Sequence, residues 1–120
     1  YALGKLYDDI LKDYKNAIKW YEIAYDKNDR RAAYALGVLY DDDLKDYKNA
    51  LKWYEIAVDL YKKQNSAHNG AMARIGILYI EGKGVKKDLV KARSLLEQAA
   101  TGGSEKAKQA LTALDNAKSK

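Results

Sequence analysis

Cysteine, proline and phenylalanine are all missing from this chain of 120 residues, and histidine and methionine each occur once. Without cysteine there is no disulfide framework, no thiolate metal site and no thiol nucleophile, and the redox compartment leaves no mark on the chain. Without proline nothing in the composition interrupts a series of helices. No apolar run approaches the ~20 residues that span a bilayer. The sequence opens at Tyr1-Ala2-Leu3-Gly4, without Met or a charged-then-apolar stretch, as a mature or excised chain would also open. What is present is 48% hydrophobic and 32% charged, the balance of a globular domain, with 11 tyrosines and 2 tryptophans to supply aromatic packing. The net charge of +5 is uneven: seven cations face six carboxylates over residues 1–33, five face six over 34–69, and ten face five over 70–120.

An internal repeat organises the chain. Tyr1-Ala2-Leu3-Gly4 returns as Tyr34-Ala35-Leu36-Gly37, and Trp20-Tyr21-Glu22-Ile23-Ala24 returns as Trp53-Tyr54-Glu55-Ile56-Ala57, a period of 33 with 22 of 26 positions identical between residues 1–26 and 34–59. A diverged third copy aligns when Gly76 is matched to Gly37. Six extra residues then fall between Val58 and Gly70, and three more lie within Glu81 to Asp88. Apolar residues inside each copy fall at helical spacing, as at Ala50, Trp53, Tyr54 and Ala57, so each copy reads as a helix pair.

This pattern predicts helices at about 1–9, 14–26, 30–41, 47–63, 68–81, 89–101 and 104–117. Asp13, Asp46 and Asp88 stand where an N-cap would accept orphan N–H groups of each second helix, and Ser104 does the same for the last helix. Gly4, Gly37 and Gly76 lie inside first helices, where glycine costs about 1 kcal/mol in propensity. Their recurrence predicts a close approach by the following helix, with Trp20 and Trp53 as the large inserts. The segment from Leu60 to Asn65 either lengthens the second helix of copy two or widens a groove.

The run Ala73-x-Ile75-Gly76-x-Leu78-Tyr79-x-x-Gly82-x-Gly84-Val85-x-x-Asp88-x-x-Lys91-Ala92 resembles the Sel-one-like repeat, a relative of the tetratricopeptide repeat. The likeness continues through Leu96-Glu97-Gln98-Ala99-Ala100 and Gly103-x-x-x-Ala107. Copies one and two keep Ala-Leu-Gly-x-Leu-Tyr and Trp-Tyr-Glu-x-Ala but lack the Gly-x-Gly-Val turn, so their inter-helix turns must be built differently. The resemblance implies an all-α fold, an α-solenoid of antiparallel helix pairs in a right-handed superhelix whose first helices line a concave face. It also implies an adaptor, scaffold or inhibitor, with a bacterial inhibitor or immunity-type protein of the periplasm or cytoplasm as one specialisation. Residues 1–120 are expected to form a single repeat domain, with copies at 1–29, 30–65 and 68–103 and a capping helix at 104–117. Because Tyr1 falls inside a first helix, further repeats are expected N-terminal to it.

Tetratricopeptide-like geometry places Lys5, Asp8, Arg31, Tyr34, Val38, Asp41, Gly70, Ala73, Ile77 and Ile80 on the concave face as candidate partner-binding residues. The register of Lys5 becomes Val38 and then Ile77, turning one end of the groove apolar. Lys83, Lys86, Lys87 and Lys91, with Arg93, form the densest basic cluster, open to an anionic ligand or nucleic acid or simply solvated. Sparse aromatic interleaving there leaves nucleic acid outside the expectation.

Chemistry finds little support. His68 is the only histidine, beside Asn65, Ser66 and Asn69, and lacks an evident nucleophile; it reads more simply as a helix-start residue. Ser66, Ser94, Ser104 and Ser119 have no nucleophile-elbow context. The Asp41-Asp42-Asp43 and Asp8-Asp9 runs lack the glycine and terminal glutamate of a calcium loop and read as helix-end solvation. Gly82-Lys83-Gly84 lacks the strand and Ser/Thr of a phosphate loop and reads as a turn needing positive φ. The expectation is therefore a protein–protein interaction module without catalytic residues, metal or cofactor, binding a peptide segment or folded domain on its concave face. Two alternatives stand beside it: a hydrolase of cell-wall or nucleotide substrates, requiring a pocket of converging carboxylates, and binding of an anionic ligand or nucleic acid through the C-terminal basic face.

Overall fold

The computed structural model describes residues 1–64 and 66–118, with the side chain of Lys118 excepted; Asn65 and Ser119 lie outside it. A short helix, α1 (Ala2–Lys5), runs directly into a π-helical turn at Leu6–Ile10. After α2 (Tyr14–Asp26), helix α3 (Arg30–Val38) runs into a second π-helical turn at Leu39–Asp43. Then come α4 (Tyr47–Lys63), α5 (Asn69–Glu81), α6 (Leu89–Thr101) and α7 (Glu105–Lys118). Each helix packs on the next and α7 also reaches α5, giving an elongated α-solenoid of 46 × 30 × 23 Å. Among the described residues no helix is long and apolar enough to cross a membrane.

One register builds all three second helices. Ala17, Tyr21 and Ala24 on α2 recur as Ala50, Tyr54 and Ala57 on α4, and as Ala92, Leu96 and Ala99 on α6, all buried. Spacings of four and three put a small, a large and a small side chain on one stripe, which lets the large one enter the preceding helix. It enters at the repeat glycine: a Cβ on Gly4 would collide with the Tyr21 ring, one on Gly37 with the Tyr54 ring, and one on Gly76 would lie 2.8 Å from Leu96 Cγ. The expected close approach is therefore present, but the inserted ring is the tyrosine, not Trp20 or Trp53. Trp53 is buried one position further round, edge-on to Tyr25 with ring centres 5.1 Å apart, and Trp20 is only half-buried.

The caps follow the sequence reading. Asp13, Asp46 and Asp88 accept from the backbone N–H of Asn16, Asn49 and Lys91 at 3.2, 3.3 and 3.0 Å, and Ser104 Oγ accepts from Ala107 N–H at 3.2 Å. Each capping aspartate also donates its own N–H back to the repeat tyrosine: Asp13 to Tyr7 O, Asp46 to Tyr40 O and Asp88 to Tyr79 O, at 2.8, 2.8 and 3.1 Å. The same bond thus spans six residues twice and nine the third time. The short version is closed by the π-helical turn, with Leu11 N–H on Leu6 O and Leu44 N–H on Leu39 O, and by Lys12 and Lys45 in the left-handed region at φ 54° and 55°. The long version uses Gly82 and Gly84 at φ 66° and 72°. Gly84 also lies so close to the Tyr47–Lys48 peptide that a Cβ would be 2.6 Å from a backbone carbon, so this turn docks on the preceding repeat.

The six-residue insertion lengthens the helix. In copy one, Asn28 adopts φ 68° and stops α2; at the same register copy two has Tyr61, which tolerates that conformation poorly, and α4 runs on to Lys63. His68 then caps α5, its Nδ1 accepting from Ala71 N–H at 3.0 Å.

Buried residues from Ala17 to Ala92 form one continuous core. A second cluster of Met72, Ala73, Leu96, Ala99 and Ala107 lies under α7. Ala73 belongs to this cluster and is wholly buried, which corrects its assignment to the concave surface: it precedes Arg74 on α5, and one residue turns the helix by about 100°, away from the groove.

Candidate functional site

First helices from all three copies, with Tyr61 and Tyr21 reaching in from second helices, enclose a groove of about 600 Å³. Lys5, Asp8, Arg31, Tyr34 and Val38 of the expected set line it. Asp41, also expected there, does not line it; its Oδ2 instead lies 3.4 Å from Nη1 of Arg74, which does. Gly70 stands beside it, where a Cβ would be 3.3 Å from Tyr34 Oη. Ile77 and Ile80 instead line a separate apolar hollow against α7. The concave set thus divides between two places.

Aromatic rings shape the N-terminal and C-terminal walls. Arg31 stacks its guanidinium 4.2 Å from the Tyr1 ring centre while its Nη2 pairs with Asp29 at 2.8 Å. His68 lies between Tyr34 and Tyr61, ring centres 4.3 and 4.6 Å away. Burial, with Arg30 nearby, holds the His68 pKa below the ordinary imidazole value. Its Nδ1 is committed as a lone pair to the helix cap, so His68 is a neutral structural residue here rather than a base facing a nucleophile.

The floor holds a charged network that sequence reasoning missed. Tyr54 donates from Oη to Asp41 Oδ2 at 2.9 Å, and Arg74 Nη1 reaches Asp42 Oδ1 at 3.0 Å, Tyr54 Oη at 3.3 Å and Asp41 Oδ2 at 3.4 Å. Burial opposes the Arg74 charge, but Tyr54 and the bond to Asp42 hold its pKa above the ordinary arginine value. Burial, reinforced by Asp41, likewise raises the Tyr54 hydroxyl, with Arg74 opposing. A usable signal lies in the repeat alignment: the register of Arg74 is Ala2 and Ala35 in the other copies, and an alanine replaced by arginine opposite an aspartate run marks a cross-repeat ion pair. Asp41 and Asp42 are thereby committed to a cation of the chain itself, and among the described residues no three acidic or imidazole groups converge on a metal position.

The expected basic residues each have their own surroundings. Lys83 pairs with Glu81 at 3.2 Å and lies 5.0 Å from the Tyr47 ring centre, Lys91 lies 4.8 Å from that of Tyr79, and Lys86 and Lys87 are exposed in the turn.

The Sel1 repeat model matches residues 1–29, 30–61 and 70–104. No curated protein matches the chain. Among solved structures, the chain is similar to a Sel1 repeat protein from Oxalobacter formigenes, with 32% identity, a TM-score of 0.71, and coverage of 88% of this chain and 43% of that one. It is also similar to c5321, described as a protective antigen present in uropathogenic Escherichia coli strains displaying an SLR fold, with 28% identity, a TM-score of 0.73, and coverage of 89% and 23%. The chain therefore spans less than half the length of either structure. With the family's own model matched across all three copies and the same fold in both solved structures, this chain belongs to the Sel1 repeat family.

Proposed function

We propose that this chain is a protein–protein interaction module that holds a segment of its partner in the concave groove. Sel1 repeats are generally non-catalytic and serve protein–protein interaction. The observation that carries the finer reading is the groove itself: about 600 Å³, open along the first helices, walled by Tyr1, Tyr34 and Tyr61 and floored by Asp8 and Arg74. Tyrosine offers large contact area at low entropic cost, and mixed charges fix register, which is the equipment of a segment-binding surface. A photo-crosslinking residue at Val38, on the groove wall, tests this against the same residue at Lys19, an exposed position on α2. In bacterial extract the Val38 position should capture a protein that the Lys19 position does not, and excess unlabelled protein should compete it away. Equal capture at both positions, or capture at Lys19 alone, overturns the groove assignment.

A further inference from the structure

The two interfaces between neighbouring repeats are built from the same residues, and one of them contains a guanidinium while the other does not. At the second interface Asp41, Asp42 and the Tyr54 hydroxyl surround Arg74 Nη1 at 3.4, 3.0 and 3.3 Å. At the first interface the equivalent acceptors are Asp8, Asp9 and the Tyr21 hydroxyl, and Tyr21 donates to Asp8 Oδ2 at 3.1 Å just as Tyr54 donates to Asp41. The register of Arg74 is there occupied by Ala35, which lines the groove and leaves the acceptors open to it.

The open copy has surplus negative charge. Lys5 takes Asp9 at 2.8 Å from the same helix, filling the part of the site that corresponds to Asp42. Among the described residues Asp8 takes one side-chain hydrogen bond, from Tyr21, with Lys5, Asp43 and Asp9 acting on it through charge. Burial, with those two carboxylates adding, holds the Asp8 carboxyl above its ordinary pKa despite Tyr21 and Lys5. A cation delivered from the groove side would relieve that repulsion, and the second interface shows the shape of cation that these acceptors accommodate.

Resting on the groove reading above, we propose that the first interface is a vacant copy of the Arg74 site, in which Asp8, flanked by Tyr21 and Asp43, receives the guanidinium of an arginine side chain on the partner. At Arg74 a single Nη meets all three acceptors, and a guanidinium sheds its water more readily than an ammonium on entering such a half-buried place, so arginine is selected over lysine.

The test is a titration of the 15N-labelled protein with N-acetyl-arginine amide, followed at the backbone amides of Asp8, Asp9 and Ala35, alongside the lysine and citrulline analogues. Arginine amide should shift these signals at a concentration at least about threefold lower than lysine amide, and neutral citrulline should not shift them. Ala35→Arg should place the chain's own guanidinium in the site, raise Tm and abolish the response. Asp8→Asn, which keeps an acceptor for Tyr21 but removes the charge, should weaken the response at least about fivefold whether or not the first variant folds. Equal response to arginine and lysine, or an undiminished response in Asp8→Asn, overturns the proposal. The two readings separate cleanly. If a partner crosslinks at Val38 and Asp8→Asn does not weaken its capture, the groove stands and the arginine site falls. If arginine amide binds at Asp8 while Val38 captures nothing, the reverse holds.

Discussion

Arg74 carries a charge into a largely buried place between repeats, and its value lies in what its removal would strand. Arg74→Ala leaves Asp41 and Asp42 without their cation, and loss of hydrogen bonds to charged groups is expected to cost about 2 kcal/mol in urea denaturation. Arg74→Lys should restore only part of that, since its ammonium ends one atom short of Nη1, where all three bonds converge, and is the more strongly hydrated cation. The repeat glycines give a second contrast. At Gly37 a methyl group would meet the rigid ring of Tyr54, whereas at Gly76 it would meet Leu96 less closely, at 2.8 Å from Cγ and 3.0 Å from Cδ2. Gly37→Ala should therefore lose on the order of 1–3 kcal/mol by overpacking. Gly76→Ala should lose less, because its overlap is smaller and a leucine can turn aside, while helix propensity returns the same amount of about 1 kcal/mol at both positions.

His68 supplies the pH dependence at this scale. Its pKa is lower in the folded chain than in the unfolded one, so the unfolded state binds more protons between the two values. The contribution is fully present above the unfolded value near 6.5 and is lost as pH falls through the folded value. Between pH 7.5 and 5, Tm of the native chain should therefore fall further than that of His68→Asn, which retains a capping oxygen but does not titrate.

At the scale of the element, one solution is used three times with different turns. The capping aspartate both accepts from its own helix and donates to the tyrosine carbonyl of the preceding one, so it ties two helices together. Asp46→Ala should lose about 1 kcal/mol for the side-chain cap, the backbone bond to Tyr40 remaining. Copies one and two shorten the link by turning the helix end into a π-helical turn, and place Lys12 and Lys45 in the left-handed region. The third copy spends three more residues and lets glycine take that conformation. A similar exchange governs α4, where the replacement of Asn28 by Tyr61 removes a stop and carries an aromatic ring into the groove wall.

At the scale of the molecule, stability is passed between neighbours, because each helix pair buries its face against the next. The core is nonetheless divided, with Met72, Ala73, Leu96, Ala99 and Ala107 set apart from the cluster that runs from Ala17 to Ala92. Leu111→Ala thins the cover over the smaller cluster. Native-state hydrogen exchange should then show α6 and α7 opening at lower denaturant than α3 and α4. Uniform loss of protection across all helices would mean that the two clusters act as one cooperative unit.

Much of this architecture is legible in the chain itself, because a period of 33 with alanine, glycine and aromatic residues in helical register leaves one economical way to bury them. The helix pairs, the aspartate and serine caps, the positive φ at Gly82 and Gly84, and the close approach at the glycines all depend on local geometry, which spacing encodes. Tyrosine rather than tryptophan fills the glycine notch because adjacent residues lie roughly 100° apart on a helix, and packing against the partner decides between two neighbouring rings. The same angular step separates buried Ala73 from groove-facing Arg74. The Arg74 network joins residues 32 and 33 positions apart, and its vacant counterpart is visible only when two interfaces can be laid over one another. Local physics wrote the helices into the sequence, while the meeting of distant side chains, and so the groove and its open acceptors, was decided by how one repeat stacks on the next.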